Sequence, residues 1–138
     1  MEITTEIKLK LRWQRGLQFQ IKTPSRNEVL LDGEQKQGIS PMEALLGALC
    51  GCMATDVVTI LQKMRADLKS LTVAASGARN AEPPRFFRKI ELVFSVTGSV
   101  PAERVEHAIQ LSFERYCSVF HSLRKDLEVT HRVEIQRE

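Results

Sequence analysis

Alternating apolar and polar residues open the chain. Apolar side chains fall on one face from Ile3 to Trp13, which is the period of a half-buried strand. Gly16 allows a turn, residues 17–21 continue the alternation, and residues 28–31 form a third short apolar segment. The opening third of the chain therefore predicts three strands in an antiparallel meander.

A helical pattern follows the third predicted strand. Ser40-Pro41 supplies a capping hydroxyl and a proline suited to the first helical position, and Glu43 adds a carboxylate to the first turn. We expect this helix to run to about Lys63 or Arg65. Apolar residues occupy nearly every side of it over residues 44–61. Because a three-stranded sheet covers only one side of a helix, a second sheet or a second chain must cover the rest.

The remaining elements complete an α+β order. Residues 71–75 and 90–96 read as strands joined by a loop over residues 77–85, and residues 98–101 open a second helix. A last strand closes the chain over residues 129–135. The positions at helical spacing in the second helix are Val105, Ala108, Ile109, Ser112, Tyr116, Val119 and Leu123. Segregated strands and helices predict an α+β fold in a single domain over residues 1–138.

Composition and charge exclude several classes of protein. The 138 residues are 43% hydrophobic and 27% charged, which excludes collagenous, coiled-coil and disordered chains. The net charge is +3, and the excess of basic residues lies in the first 26 positions. Only Trp13 and Phe19 accompany that basic segment as stacking groups. We therefore expect no nucleic-acid partner.

The sequence also indicates a cellular location. The N-terminus lacks the pattern of a secretory signal. Residues 44–61 are about as long as a bilayer span, but they contain Asp56 and two glycines, so we interpret them as a buried core helix. Three cysteines do not make a secreted disulfide framework. We expect a cytoplasmic protein that does not enter a membrane.

The three cysteines are the candidate chemical groups. Cys50 and Cys52 point about 200° apart on a helix and cannot act as a pair. One of them could join Cys117 and His121, one turn apart on the second helix, in a zinc site, although a clear fourth ligand is missing. Alternatively, one first-helix cysteine and Cys117 could be attacking and resolving thiols in peroxide reduction. All three could also be small buried apolar side chains.

Three segments resemble a known family. They are residues 40–52 (SPMEALLGALCGC), 56–63 (DVVTILQK) and 116–119 (YCSV). The chain resembles the family of osmotically inducible protein C and organic hydroperoxide resistance protein (OsmC/Ohr), most closely its YhfA-like branch. The resemblance extends over nearly the whole chain.

The resemblance implies both a fold and a reaction. It implies antiparallel sheets around a long central helix, in an intertwined homodimer with active sites at the subunit interface. It assigns Cys52 as the peroxidatic thiol and Cys117 as the resolving thiol, and it leaves Cys50 as a packing residue. It implies reduction of organic hydroperoxides by an external thiol or dithiol, without a metal or bound cofactor.

Two positions depart from the peroxidase branches of the family. Those branches place a glutamate directly after the motif proline, where this chain has Met42 and Glu43 follows one residue later. They also pair that glutamate with an arginine, for which Arg15 is the nearest substitute. Asp56, one turn after Cys52, is expected to hydrogen-bond or pair elsewhere in the interface. These departures favour, as an alternative, a non-enzymatic dimeric stress protein that binds a small apolar or thiol-reactive molecule at the interface. A purely structural homodimer with inert thiols is a third alternative.

Overall fold

The computed structural model describes residues 5–136. The elements in chain order are β1 (Lys10–Arg15), β2 (Gln18–Lys22), β3 (Glu28–Asp32), α1 (Pro41–Lys63), β4 (Asp67–Arg79), β5 (Phe87–Ser99), α2 (Ala102–Leu111), a π-helical turn (Ser112–Tyr116), α3 (Ser118–Ser122) and β6 (Glu128–Gln136). The residues form two compact units that divide between Leu45 and Leu46. That the chain is a single domain stays a prediction.

The first unit contains the predicted antiparallel meander, in the order β1-β2-β3. β1 is shorter than the alternation suggested, because its pairing with β2 begins at Lys10↔Lys22 and residues 5–9 have no strand beside them. Ile3 lies outside the described residues. The register places two rows of apolar side chains on one face of this sheet, Leu11–Ile21–Val29 and Trp13–Phe19–Leu31.

Asp32 organises the loop that leads from this sheet to α1. Its side chain is buried, and its carboxylate accepts hydrogen bonds from the backbone N–H groups of Glu34, Lys36 and Gln37 at 2.8, 3.2 and 2.9 Å. These donors, that of Gln37 first, hold the pKa of Asp32 below its ordinary value. The Asp32 N–H donates to the Ile39 carbonyl at 2.8 Å. Because Ile39 immediately precedes Ser40, this hydrogen bond links the end of β3 to the start of α1.

The bounds of α1 match the prediction, and within one chain only one side of the helix is fully buried. Four apolar residues at i, i+4 spacing are fully buried, and they form one stripe along the helix: Leu49, Met53, Val57 and Leu61. Only 22% of its most apolar 18-residue window is buried. By length and composition alone, α1 also meets the requirement for a membrane-spanning helix. One chain thus leaves most of this apolar helix uncovered.

The second unit contains a sheet in the order β4-β5-β6. β4 and β5 pair antiparallel over their whole length, well beyond the predicted segments. β6 pairs parallel to β5, from Lys89↔Glu128 to Thr97↔Gln136, so the expectation of purely antiparallel sheets is wrong. The helical segments between β5 and β6 return the chain to the end where β5 begins, which makes the next strand parallel.

The second predicted helix is interrupted. α2 ends at Leu111, a π-helical turn follows, and Cys117 leaves the helical conformation with φ −77° and ψ 96° before α3 begins. Ser112 is buried as its spacing predicts, but Tyr116 is 51% exposed and Cys117 is fully buried instead. The wider turn shifts the inward-facing position by one residue, which a pattern of α-helical period does not reveal.

Candidate active site

Two of the three cysteines meet within the second unit. The thiols of Cys117 and of Cys52 on α1 are neighbours, and the Cys52 sulfur acts directly on the Cys117 thiol. Cys117 is fully buried, whereas Cys52 is half-buried. Contact between the two sulfurs is what a disulfide requires, since bonded sulfurs come from side chains whose Cβ atoms are close and converge.

The π-helical turn explains why Cys117 faces α1. In an α-helix, side chains five residues apart point about 140° away from each other. An uninterrupted helix would therefore direct Cys117 away from the side on which Ser112 lies. Here the Cys117 N–H donates to the Ser112 carbonyl at 2.8 Å, an i to i+5 bond that closes one turn over five residues. Cys117 consequently returns to the buried side on which Ser112 lies.

The environment of Cys117 keeps its thiol protonated. The pKa of Cys117 is raised to about 11, mainly by burial and in smaller part by the Cys52 sulfur and the Asp56 carboxylate. The Phe120 N–H, which donates to Sγ of Cys117 at 3.3 Å, acts in the opposite direction. A thiol with this pKa is almost entirely neutral at pH 7. Cys117 is therefore a poor first nucleophile and a good hydrogen-bond donor to a sulfur beside it.

Cys50 stands apart from this pair. It follows Leu49 on α1, is half-buried, and burial raises its pKa. Because it lies two residues before Cys52, its side chain leaves the helix in nearly the opposite direction. Its surroundings fit the packing role that the resemblance implied.

We expect a thiolate titration to show the raised pKa of Cys117 directly. In a reduced Cys50→Ser variant, ultraviolet thiolate absorbance should show a step near pH 11 that disappears when Cys117 is also replaced by serine. All other absorbing groups are common to both proteins, so the difference isolates Cys117. Circular dichroism checks that both stay folded. A Cys117 step at or below about pH 8.5, the ordinary thiol value, would contradict this assignment.

Glu43 lies in the first unit, in a capping box at the start of α1. The Glu43 N–H donates to the Ser40 hydroxyl at 3.1 Å, and the Ser40 N–H donates to the Glu43 carboxylate at 2.8 Å. The Gln35 amide donates to the same carboxylate oxygen at 2.9 Å. The Ser40 N–H first, and then the Gln35 amide, hold the pKa of Glu43 below its ordinary value. A catalytic role for Glu43 stays a prediction.

Arg15 ends β1 in the same unit. Its side chain is exposed, and Nη1 donates to the side-chain oxygen of Gln18 at 3.2 Å. Within residues 5–136 it forms no ion pair with a carboxylate, Glu43 included. The proposed substitution of Arg15 for the arginine of the peroxidase branches also stays a prediction.

The zinc alternative finds no set of ligands in the described residues. Between residues 5 and 136, no group of three or more His, Cys, Asp or Glu side chains is arranged so that it could hold a metal ion. His121 points its Nε2 at the Phe113 carbonyl at 2.8 Å. Cys52 and Cys117 alone do not meet the four-ligand requirement of a structural zinc site.

A part-buried hydrogen bond beside the cysteines was not predicted from the sequence. The hydroxyl of Ser112, which is fully buried, donates to Oδ2 of Asp56 at 2.7 Å. The sequence predicted a partner for Asp56 in the interface, whereas the partner observed is Ser112 of the same chain. Ser112 is the one polar residue among the otherwise apolar positions predicted for the second helix, and Asp56 is the one carboxylate in the most apolar segment. These two polar residues in apolar segments were the signal in the sequence that could have predicted the hydrogen bond.

An apolar cleft adjoins the cysteine pair. Its volume is about 410 Å³. Asp56, one turn from Cys52, and Tyr116, the residue before Cys117, belong to its wall. The other lining residues are Thr59, Ile60, Lys63, Met64 and Leu111. The cleft can hold a small molecule with an apolar body, one helical turn along α1 from Cys52.

Comparison with known proteins now decides the family. The sequence model of the OsmC-like protein family matches residues 33–132. Protein YhfA of Escherichia coli strain K12 is 41% identical over 128 residues, which are 91% of this chain and 96% of YhfA. The chain belongs to the OsmC-like protein family.

Solved structures agree with this assignment. A hypothetical protein from Aquifex aeolicus VF5 matches the OsmC-like chain with a TM-score of 0.88 and 28% identity, over 100% of this chain and 99% of the other. The organic hydroperoxide resistance protein OsmC from Legionella pneumophila matches with a TM-score of 0.70 over 96% of this chain and 99% of its own. At 15% identity, the second match shows the fold alone. The OsmC-like fold, with one long helix and two three-stranded sheets, is α+β as predicted.

Proposed function

We propose that this OsmC-like protein is a thiol peroxidase that reduces organic or small hydroperoxides in defence against oxidative stress. The observation that carries the proposal is the contact between Cys52 and the protonated thiol of Cys117 in the interior of the second unit. A half-buried thiol held against a buried one fits an attacking and a resolving cysteine. The Legionella pneumophila protein, described as an organic hydroperoxide resistance protein, shares this fold.

The reaction needs two electrons from the protein and no cofactor. The Cys52 thiolate attacks the outer peroxide oxygen, the O–O bond breaks, and the alcohol leaves after taking up a proton. Cys52 becomes a sulfenic acid. The sulfur of Cys117 then attacks the Cys52 sulfur, the S–O bond breaks, and water leaves as the disulfide forms. An external thiol or dithiol, which is oxidised in turn, reduces the disulfide and restores both thiols.

The cleft beside the cysteines favours an organic peroxide over hydrogen peroxide. Ile60, Met64 and Leu111 give it an apolar wall. Contact with such a wall stabilises a bound hydrocarbon group by removing apolar surface from water. Hydrogen peroxide has no such group and gains nothing from the cleft.

We further propose that the protein acts as a cytoplasmic homodimer without a nucleic-acid or membrane partner. One chain leaves most of the apolar α1 unburied, and Leu11 and Trp13 on the sheet of the first unit are 51% and 65% exposed. Apolar surface of this extent is typical of an interface between copies. A compartment rich in thiol reductants suits a disulfide that must be reduced after each turnover.

Peroxide treatment of the purified protein tests the function. We expect an organic hydroperoxide such as tert-butyl hydroperoxide to convert Cys52 and Cys117 to an intramolecular disulfide, detected by mass spectrometry of peptides prepared without reductant. Cys50 should stay a free thiol. A protein that forms neither a disulfide nor a sulfenic acid is not a peroxidase of this kind.

The binding-protein alternative rests on Glu43 and Arg15. The Glu43 carboxylate is already engaged by Ser40 and Gln35, and Arg15 has no carboxylate partner among residues 5–136. Neither contact activates a thiol. A ligand that binds equally well to the Cys52→Ser variant, together with no peroxide turnover in the wild type, would favour this second function.

A further inference from the structure

A continuous series of hydrogen bonds joins α1 to Cys117. Asp56 lies one turn after Cys52 on α1 and accepts a hydrogen bond from the Ser112 hydroxyl at 2.7 Å. The Ser112 carbonyl in turn accepts a hydrogen bond from the Cys117 N–H at 2.8 Å. The side chain of Ser112 thus bonds to the helix that carries Cys52, and its backbone carbonyl bonds to Cys117.

We propose that Asp56 and Ser112 are a positioning pair that holds Cys117 against Cys52 and thereby favours the Cys52–Cys117 disulfide. The inference rests on the proposed function for its biological role, but the geometric claim concerns the disulfide itself. Neither residue exchanges electrons or protons with the substrate in this proposal. Both act through the location of Cys117.

Because this pair lies at a π-helical turn, its hydrogen bond affects the direction of the Cys117 side chain. The turn replaces the α-helical geometry over Ser112–Tyr116 and is followed by a residue outside the helix. An α-helical continuation would direct Cys117 away from Ser112 by about 140°. Because π turns are rare and less favourable than α-helix, a contact that anchors the first residue of the turn decides which side Cys117 faces. The hydrogen bond from the fully buried Ser112 to the Asp56 carboxylate is such an anchor.

The charge of Asp56 does not account for this arrangement. The Asp56 carboxylate raises the pKa of Cys117 and so disfavours its thiolate. As a hydrogen-bond acceptor, the same carboxylate keeps Ser112 in place. The two effects are separable, because asparagine keeps an acceptor oxygen and removes the charge, whereas alanine removes both.

The test is a redox titration of the disulfide at pH 7 in a Cys50→Ser background. Protein is equilibrated with mixtures of reduced and oxidised dithiothreitol, free thiols are alkylated, and the disulfide fraction is measured by mass. We expect Asp56→Ala and Ser112→Ala each to lower the equilibrium constant for the disulfide by about tenfold, which makes the reduction potential less negative by about 30 mV for this two-electron couple. Asp56→Asn should stay within about twofold of the parent protein.

A second measurement follows the chemistry of the first turnover. After one equivalent of tert-butyl hydroperoxide, the alanine variants should accumulate Cys52 sulfenic acid, trapped with dimedone, whereas the parent and Asp56→Asn proteins proceed to the disulfide. A purely structural role would lower thermal stability without changing this partition. If the wild type forms no sulfenic acid, the peroxidase proposal fails while the redox titration still tests the pair.

Two results would overturn the positioning role. One is a folded Asp56→Ala protein whose disulfide equilibrium stays within twofold of the parent. The other is an equal shift in Asp56→Asn and Asp56→Ala, which would assign the effect to the charge. Should Ser112→Ala not fold, because it leaves the half-buried Asp56 carboxylate without its donor, the two Asp56 variants decide the question.

Discussion

Replacing Cys52 with serine is expected to lower organic hydroperoxide turnover by more than about a thousandfold, the scale of losing the nucleophile of an enzyme. The physical reason is that a serine hydroxyl has a far higher pKa than a thiol and is not oxidised by peroxide. The measurement is hydroperoxide consumption with dithiothreitol as reductant. The assay reports the loss of hydroperoxide over time against a blank without protein.

Cys50→Ser is the matched control for this prediction. It makes the same change two residues earlier on the same helix, at a cysteine that points away from Cys117, and it should leave turnover within about twofold. Cys117→Ser should retain the first reaction with peroxide but stop at the Cys52 sulfenic acid. Equal losses in Cys50→Ser and Cys52→Ser would contradict the assignment of Cys52.

Replacing Leu11 with glutamate is expected to convert the homodimer to monomers at micromolar concentration. Leu11 is half-exposed in one chain and belongs to the apolar row that continues through Ile21 and Val29. A carboxylate buried at an interface without a partner is costly, and in a two-fold symmetric dimer the substitution occurs twice. Together the two sites should weaken association by at least about a hundredfold. Sedimentation velocity measures the change.

Gln14→Glu controls for the added charge. It introduces the same carboxylate into the same strand but on the opposite, polar face of the sheet, and it should leave the dimer intact. Circular dichroism confirms that both variants keep their secondary structure. A Leu11→Glu protein that sediments as a dimer would remove this face from the interface, and a monomeric wild type would end the dimer proposal.

Local patterns were sufficient for most of the elements. Ser40-Pro41 followed by Glu43 predicted the start of α1, and the structure contains the capping box. Alternation predicted the strands of the first unit, with β1 shortened where its pairing partner ends. Capping and alternation are interactions between residues close in sequence, which is why their pattern is visible there.

The direction of β6 and the break after α2 depended on distant residues. β6 became parallel because the chain crosses over between two strands of one sheet. Cys117 replaced Tyr116 as the inward residue because a π-helical turn intervened. The α-helical period predicts only the regular continuation, so neither feature could be read from spacing alone.

The candidate site divides in the same way. The amino-acid sequence determined the residue types and the order of the cysteines, since Cys52 and Cys117 lie in the two motifs that indicate the OsmC-like family. Only the tertiary structure showed that these two thiols meet, that burial raises the pKa of Cys117, and that Ser112 joins it to Asp56. Residues 56 positions apart contact each other only after folding, because burial and side-chain hydrogen bonds between elements are properties of packing and not of local order.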